Sequence, residues 1–157
     1  FKELNYNYPA LLADIGRLII LYNYGGIYHD LKFISNKKMI NYLSSVSNQI
    51  EVIAEEHPIE KNRVRVGNIV VLHKNSKFLK LVLEKIKIKL MVSKDAFGPD
   101  KVFEIGSKIY INEFLNNKNN NVYKYPFQVK NLLKFNKYIY RSNIKKWQIT
   151  NEYIFKK

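Results

Sequence analysis

The first strong pattern in the chain is a helical repeat of apolar residues that ends at a pair of glycines. Pro9 suits the first turn of this predicted helix, and Gly25 and Gly26 tolerate the left-handed backbone angles that end it. Helical spacing of the apolar positions predicts one buried side. Those positions are Leu11, Ile15, Leu18, Ile19 and Tyr22.

The next pattern, over residues 27–33, predicts a strand because it is rich in β-branched and aromatic side chains. Alternate side chains of a strand point to opposite faces, so Ile27 and Phe33 share the face that we expect to be buried. Asp30 and Lys32 share the other face with Tyr28. Two charged groups placed so closely in a strand need a partner or a task.

Later patterns alternate between helix and strand. A short amphipathic helix capped by Asn36 is predicted first, followed by strands over residues 51–54 and 66–72. Glu55 and Glu56 follow the first of these strands, and we expect both to be exposed in a polar turn. Ser76 then begins a helix that runs to Val92. We expect its buried stripe to be Leu79, Val82, Leu83, Ile86 and Leu90.

The pattern weakens towards the carboxyl end. Residues 97–100, Phe-Gly-Pro-Asp, predict a turn that opens a helix. Residues 116–121 form a polar, low-complexity loop. Short strands are predicted within residues 123–140, which mix aromatic and basic side chains; that mixture suits nucleic-acid stacking or a packing layer equally.

Four residues in a fixed order carry the candidate chemistry. Asp14 and Arg17 lie three positions apart on one face of the first helix, and Tyr28 and Asp30 follow the paired glycines. This order resembles the sugar-binding region of glycosyltransferases that carry a DXD motif, a group that includes yeast-type initiating mannosyltransferases, capsular polysaccharide transferases and clostridial glucosylating toxins. The resemblance is specific over residues 14–30 and weaker elsewhere.

The resemblance implies a role for each of these residues. Asp14 and Arg17 would hold hydroxyls of the donor sugar, Tyr28 would lie beside the donor, and Asp30 would meet the ribose and the metal-bound diphosphate. The family has a second Asp as the direct metal ligand, whereas this chain has Lys32. An ammonium group donates three hydrogen bonds and accepts none, so it does not ligate Mn²⁺ or Mg²⁺.

Three interpretations of Lys32 stay open. Its charge replaces the metal by offsetting the charge that develops on the leaving diphosphate; or Mn²⁺ or Mg²⁺ still binds through Asp30, the diphosphate and water; or the site has lost activity. Each feature also has an ordinary alternative. Asp14 and Arg17 alone would be a helical ion pair worth about 0.2–0.5 kcal/mol. The functional interpretation is favoured because this pair, the paired glycines and Asp30 occur together in one fixed order.

Further candidates follow from the resemblance. Asn68 is either a cleft contact or an Asn at a bulge after Gly67, and Asp100 is a cleft candidate beside the Gly-Pro turn. Trp147 is similar to a tryptophan that closes over the donor phosphates in family members, and here the cations Arg141, Lys145 and Lys146 precede it. We expect the three histidines, His29, His57 and His73, to be structural or surface residues.

Composition limits the classes of protein. The 157 residues suit one domain, and 46% hydrophobic and 14% aromatic content predicts a folded globule. Without cysteine there are no disulfides or thiolate zinc sites. The net charge of +14 favours contact with anionic partners, such as a diphosphate or an anionic membrane surface, but the lysines are scattered along the chain.

Together these features predict an α/β fold, the Rossmann-like GT-A type of nucleotide-sugar transferase, as a single catalytic domain over residues 1–157. The resemblance implies an earlier strand-helix-strand half that holds the nucleotide base, and we expect this sequence to lack it. The predicted reaction moves a hexose from a nucleotide sugar to a glycan or protein hydroxyl, with retention, in the cytoplasm or at a membrane periphery. The alternatives are a degenerate, non-catalytic binding relative and a basic nucleic-acid-binding domain, although no nucleic-acid partner is expected.

Overall fold

Helices and strands alternate along the part of the chain that this computed structural model describes, residues 8–30, 33–35, 37–46, 48–57, 60, 63–93, 99–119, 121–125 and 133–135. The helices are α1 (Pro9–Tyr24), α2 (Lys37–Ser44), α3 (Lys77–Val92), α4 (Pro99–Ile105) and α5 (Ser107–Leu115). The strands are β1 (Gly26–His29), β2 (Phe33–Ser35), β3 (Val52–Glu56), β4 (Val64–Val71), β5 (Val122–Tyr125) and β6 (Leu133–Phe135). The mixed α/β class is confirmed.

A four-stranded sheet with the order β1-β4-β3-β5 forms the centre of the fold, and β2 pairs with β6 in a separate two-stranded sheet. Strand β4 runs antiparallel to both β1 and β3, while β3 and β5 are parallel. The carboxyl ends of β1, β3 and β5 therefore meet at one edge of the sheet. Ligands of open α/β sheets commonly bind at this edge.

Helices cover both faces of the four-stranded sheet. On one face, α1, α3, α4 and α5 enclose the main core, in which Leu79, Val82 and Ile105 are fully or almost fully buried. On the other face, Tyr42 and Leu43 of α2 pack against Ile53 and Val70. None of the helices in the described ranges is long and apolar enough to cross a membrane.

Helix α1 begins and ends where the sequence predicts. Pro9 occupies its first turn, and the N–H of Gly25 donates to the carbonyl oxygen of Leu21 at 2.8 Å. Gly25 and Gly26 both have positive φ angles, of 69° and 99°, which side chains disfavour. This reversal turns β1 back beside β4, so that the end of β1 lies near the helix face that carries Asp14 and Arg17.

The predicted strand over residues 27–33 is wrong in two respects. Strand β1 ends at His29, and the strand at Phe33 belongs to the other sheet. The faces are also reversed, because Ile27 is 40% exposed whereas Tyr28 packs against the main core. The side of β1 that carries Tyr28 faces the main core, and the Tyr28 ring lies against Arg17 of α1.

Two other expectations need correction. Glu55 and Glu56 are not exposed turn residues: both lie in β3, where Glu55 is 5% exposed and Glu56 is half-buried. Helix α5 was not predicted, yet it supplies Tyr110, Ile111 and Phe114 to the core. The helix that begins after Ser76 is confirmed, with Ser76 accepting a hydrogen bond from the N–H of Leu79 at 3.2 Å. Leu79, Val82 and Ile86 are buried as predicted.

Candidate functional site

Arg17 is the centre of a polar cluster between α1 and β4. Its Nη2 lies 2.8 Å from Oδ1 of Asp14, and its Nη1 donates to the carbonyl oxygen of Val66 at 2.7 Å. Its Nε donates to the carbonyl oxygen of Ala13 at 3.1 Å. The side chain is 9% exposed. These contacts fix the guanidinium, so that Arg17 holds neighbouring groups in place more than it reaches into solvent.

Asp30 joins this cluster from the end of β1. Its backbone N–H donates to the carbonyl oxygen of Gly67 at 2.8 Å. Its Oδ1 accepts a hydrogen bond from the Tyr28 hydroxyl at 3.1 Å and lies 3.8 Å from Nη1 of Arg17. The Arg17 guanidinium carbon also stands 4.3 Å from the centre of the Tyr28 ring, a cation–π distance. The structure therefore brings Asp14, Arg17, Tyr28 and Asp30 together.

Each carboxylate of the cluster packs against a glycine. A β-carbon at Gly67 would lie 2.5 Å from Oδ2 of Asp30, and one at Gly106 would lie 3.0 Å from Oδ2 of Asp14. Any side chain at Gly67 would therefore displace the Asp30 carboxylate. At Gly106 the space is tight for the same reason.

Ser107 is a member of the cluster that the sequence analysis missed. It begins α5, and its hydroxyl donates to Oδ2 of Asp14. Asp14 thus has Arg17 on one carboxylate oxygen and Ser107 on the other. Burial raises the pKa of Asp14 above its ordinary value, and the contacts with Arg17 and Ser107 only partly offset this effect. Burial likewise raises the pKa of Tyr28.

A cavity of about 350 Å³ opens beside this cluster. Its lining includes Asp30, Gly67 and Ser107. The cavity therefore contacts the Asp30 carboxylate directly, and it contacts Asp14 only through Ser107, the hydrogen-bond donor to that carboxylate. The lining also includes His57, Arg63 and Arg65, which the sequence analysis did not assign to a site. A volume of this size falls in the range of roughly 300–1,000 Å³ that is typical of small-molecule sites.

Asn68 is not among the residues that line the cavity and belongs to a second polar network. Its Nδ2 donates to Oε2 of Glu55 at 2.5 Å, its Oδ1 lies 3.0 Å from Nδ1 of His29, and the residue is 1% exposed. Pairing between β3 and β4 shifts register between Ala54 and Glu56, which places the irregular segment of β4 beside Asn68. Asn68 therefore meets protein groups on both ends of its amide. His29 is structural in this network.

The remaining predicted site residues fall outside what is described. Asp100 lies in α4, but its side chain is not among those described, and Lys32 and Trp147 lie outside the described residues, as do Arg141, Lys145 and Lys146.

A divalent metal ion does not fit the described donor set by itself. No group of three or more His, Asp or Glu side chains with ligand geometry occurs within the described ranges. Asp30 offers a single carboxylate, and Oδ1 of that carboxylate already contacts Tyr28 and Arg17. Mn²⁺ and Mg²⁺ prefer several oxygen ligands. We therefore derive no step of the reaction through a metal.

Comparison with known proteins agrees with the geometry. Residues 1–56 match the family of the glycosyltransferase sugar-binding region containing DXD motif. No curated protein and no solved structure matches the chain significantly. The matched range contains Asp14, Arg17, Tyr28 and Asp30, which are the residues that carry the resemblance in the sequence. The resemblance is thus confirmed over residues 1–56, and it indicates a glycosyltransferase-like role.

Proposed function

We propose that this protein transfers a hexose from a nucleotide-sugar donor to a hydroxyl group of a glycan or protein, with retention of anomeric configuration, on a sheet of the GT-A type. The family match over residues 1–56 supports the class of reaction. The carboxyl ends of β1 and β3 meet at one edge of the sheet, next to a cavity. This arrangement supports our choice of that edge as the donor-binding site.

One observation carries the proposal. A single guanidinium, that of Arg17, lies 2.8 Å from Asp14 and 3.8 Å from Asp30, although these residues come from different elements. As ordinary surface pairs these contacts would contribute about 0–1 kcal/mol each. Here the side chains of Arg17 and Asp14 are only 9% and 14% exposed, and burying charged groups is costly unless they are paired. A task in ligand binding accounts for keeping them.

The role proposed for each residue follows from how exposed its side chain is. Asp30 is 35% exposed and lines the cavity, so its carboxylate accepts hydrogen bonds from the donor. Asp14 and Arg17 are more buried than Asp30. Arg17 orients the carboxylates of Asp14 and Asp30, and Asp14 binds a sugar hydroxyl beside Ser107. Tyr28 stacks on Arg17 and fixes Asp30 through its hydroxyl. We assign Asn68, Asp100 and Trp147 to the surroundings of the donor, as the resemblance implies.

In the proposed reaction the bond between the anomeric carbon and the diphosphate oxygen breaks, and the acceptor oxygen bonds to that carbon. The acceptor proton leaves to solvent, and the nucleoside diphosphate departs with the electron pair of the broken bond. Negative charge grows on the diphosphate, where a fixed cation stabilises it. We assign this role to Lys32.

Hydrolysis of a panel of nucleotide hexoses tests the proposal. We expect one of these donors to release free hexose and nucleoside diphosphate, and Asp30→Asn to reduce the rate about a hundredfold, because a misplaced donor loses its reactive geometry. Glu84→Gln is the control, since Glu84 is an exposed carboxylate on α3. Assays with manganese and with a chelator run in parallel. Equal rates for Asp30→Asn and the unaltered protein would contradict the proposal.

A further inference from the structure

The outward side of α3 ends in a group of exposed apolar side chains. Ile88, Met91 and Val92 are 61%, 63% and 74% exposed. Residues three and four positions apart are neighbours on the surface of a helix, so these side chains form one continuous patch, which we call the α3 patch. Single exposed apolar residues are ordinary, whereas a contiguous group of them indicates a contact surface.

The core of the protein does not require apolar side chains at the α3 patch. Helix α3 buries a separate set of residues, among them Val82 and Ile86, in the main core. Two positions along an α-helix correspond to a rotation of about 200°, so Ile88 points away from the side that carries Ile86. Polar side chains at the patch would leave the core unchanged, and packing therefore does not explain it.

Lysines lie on both sides of the α3 patch. Helix α3 contains five lysines and one glutamate, Glu84, which lies a turn before Ile88. Lys80 and Lys87 are exposed, and helical geometry places them along one border of the patch. Lys85 lies along the other border, where it pairs with Glu113 at 2.7 Å. A surface that covers the apolar group therefore also meets positive charge.

The combination of aliphatic side chains and lysines distinguishes between kinds of partner. A second copy of the chain fits poorly, because a two-fold interface brings the same lysines of both copies together and each copy carries a charge of +14. Nucleic acid fits poorly too, since single-stranded binding uses aromatic rings for stacking and the α3 patch has none. A bilayer that contains anionic lipids fits both features: its acyl chains accept apolar side chains, and its headgroups attract lysines.

We propose that the α3 patch docks the protein on the surface of an anionic bilayer, with Ile88, Met91 and Val92 inserted among the lipid headgroups. The inference goes beyond the proposed sugar transfer and does not depend on it. Lys80 and Lys87 contact the lipid phosphates, because a lysine can keep its methylene groups on an apolar surface while its ammonium group stays at the level of the headgroups. The family match over residues 1–56 does not include α3.

Sedimentation of the full chain with vesicles tests the inference. One set of vesicles contains phosphatidylcholine alone, and the other contains phosphatidylcholine with about a third phosphatidylglycerol, which supplies a negative surface potential. We expect binding at least about tenfold tighter to the anionic vesicles, since each lysine near such a surface strengthens binding about fivefold. Added salt should weaken this binding, because it screens the charges.

A fluorescent label identifies the surface that meets the bilayer. The chain has no cysteine, so Ile88→Cys takes an environment-sensitive thiol dye at a single position. Ile27→Cys is the matched control, because Ile27 is an exposed isoleucine of β1 on the side opposite to Tyr28 and the main core. Anionic vesicles should shift the emission of the label at position 88 to shorter wavelength and leave the label at position 27 unchanged.

Replacing the same two isoleucines by glutamine measures their contribution to binding. Ile88→Gln should weaken binding to the anionic vesicles about tenfold, because glutamine gains little from leaving water. Ile27→Gln should leave the affinity unchanged. Both side chains are exposed, so both variants should keep the unfolding temperature of the unaltered protein.

A pair of double variants separates the position of the lysines from the total charge. K80Q/K87Q should weaken binding to the anionic vesicles at least about tenfold. K74Q/K101Q removes the same charge from two exposed lysines outside α3, and it should weaken binding less than about threefold. Equal losses in the two double variants would show that the total charge, and not α3, is responsible.

Four further results would overturn the inference. They are no binding to either kind of vesicle, equal affinity for both kinds, an unchanged label at position 88 in the vesicle-bound protein, and self-association that Ile88→Gln abolishes. The last result, measured by sedimentation equilibrium, would show that a second copy covers the α3 patch. Failure of the proposed function is distinguishable from all of these, because hydrolysis of a soluble donor needs no vesicles.

Discussion

A β-carbon on Gly67 would stand 2.5 Å from Oδ2 of Asp30, a separation at which the carboxylate has to move. Gly67→Ala should therefore turn Asp30 away from Tyr28 and Arg17. Overpacking of this kind costs about 1–3 kcal/mol, and we expect donor affinity to fall together with stability. Urea unfolding and calorimetric titration of the donor measure the two effects.

Gly16→Ala is the control for Gly67→Ala. Gly16 lies within α1, and a β-carbon there would meet no atom within 4 Å. Replacing it should stabilise the protein by about 0.5–1 kcal/mol, because glycine is unfavourable inside a helix. Destabilisation of equal size in both variants would show that the contact between Gly67 and Asp30 is unimportant.

The hydroxyl of Ser107 should stabilise the buried carboxylate of Asp14. Ser107→Ala removes the hydrogen bond to Oδ2, and leaving a buried acceptor short of a donor costs about 1–3 kcal/mol. The free energy of unfolding in urea measures this loss. Ser45→Ala removes a hydrogen bond from an exposed serine, to the carbonyl oxygen of Tyr42, and should cost less than about 0.5 kcal/mol. Equal losses in the two variants would contradict the account.

The raised pKa of Asp14 predicts the pH dependence of stability. Burial raises this pKa in the folded state above the ordinary value of 3.8. The folded state then holds the proton more tightly than the unfolded state, so the contribution of Asp14 is fully present below pH 3.8 and lost as the pH rises through the folded-state pKa. Asp14→Asn should become more stable relative to the unaltered protein over that rise. A stability difference that is constant with pH, or a variant that loses stability relative to the unaltered protein as the pH rises, would contradict this.

Glu51 should stabilise the start of α3 from outside the helix. Its Oε2 accepts from the Ser76 hydroxyl at 2.6 Å and from the N–H of Phe78 at 3.1 Å, and its Oε1 accepts from Asn121 at 3.0 Å. Burial alone would raise the pKa of Glu51, but these hydrogen bonds outweigh it and leave the pKa lowered. The stability that Glu51 contributes is therefore present above its ordinary pKa and lost as the pH falls through the lowered value.

Glu51→Ala should cost about 0.5–2 kcal/mol at neutral pH, the range for loss of a helix cap. Thermal or urea unfolding measures it, and Glu84→Ala, on the exposed side of α3, should stay within about 0.5 kcal/mol. No difference between these two variants would show that the helix start does not depend on Glu51.

The sequence predicted the parts of the fold that local patterns determine. Helical spacing and the paired glycines located α1 and its end, and Ser76 located the start of α3, because caps and turns depend on near neighbours. The burial of Ile27 was predicted wrongly. Which face of β1 is covered depends on where α1 packs, and this contact is decided by the whole sheet.

Local patterns in the sequence predicted only part of the candidate site. Asp14, Arg17, Tyr28 and Asp30 form a local, ordered pattern, whereas Ser107, Arg63 and Arg65 come from distant parts of the chain that only the fold brings to the cavity. A signal for Ser107 was present: Tyr110, Ile111 and Phe114 have the i, i+1, i+4 spacing of a helix that begins there. Glu55 gave no such signal, since its burial depends on Asn68 and Arg65.

The central claim is that Asp14 and Asp30 act on one donor molecule through their shared contact with Arg17. The most direct test is a double-mutant cycle of donor affinity with Asp14→Asn, Asp30→Asn and the double variant, measured by calorimetry. We expect a coupling energy of at least about 0.5 kcal/mol, because groups in one ion-pair network do not act independently. Strictly additive losses, or unchanged donor affinity in either single variant, would contradict it.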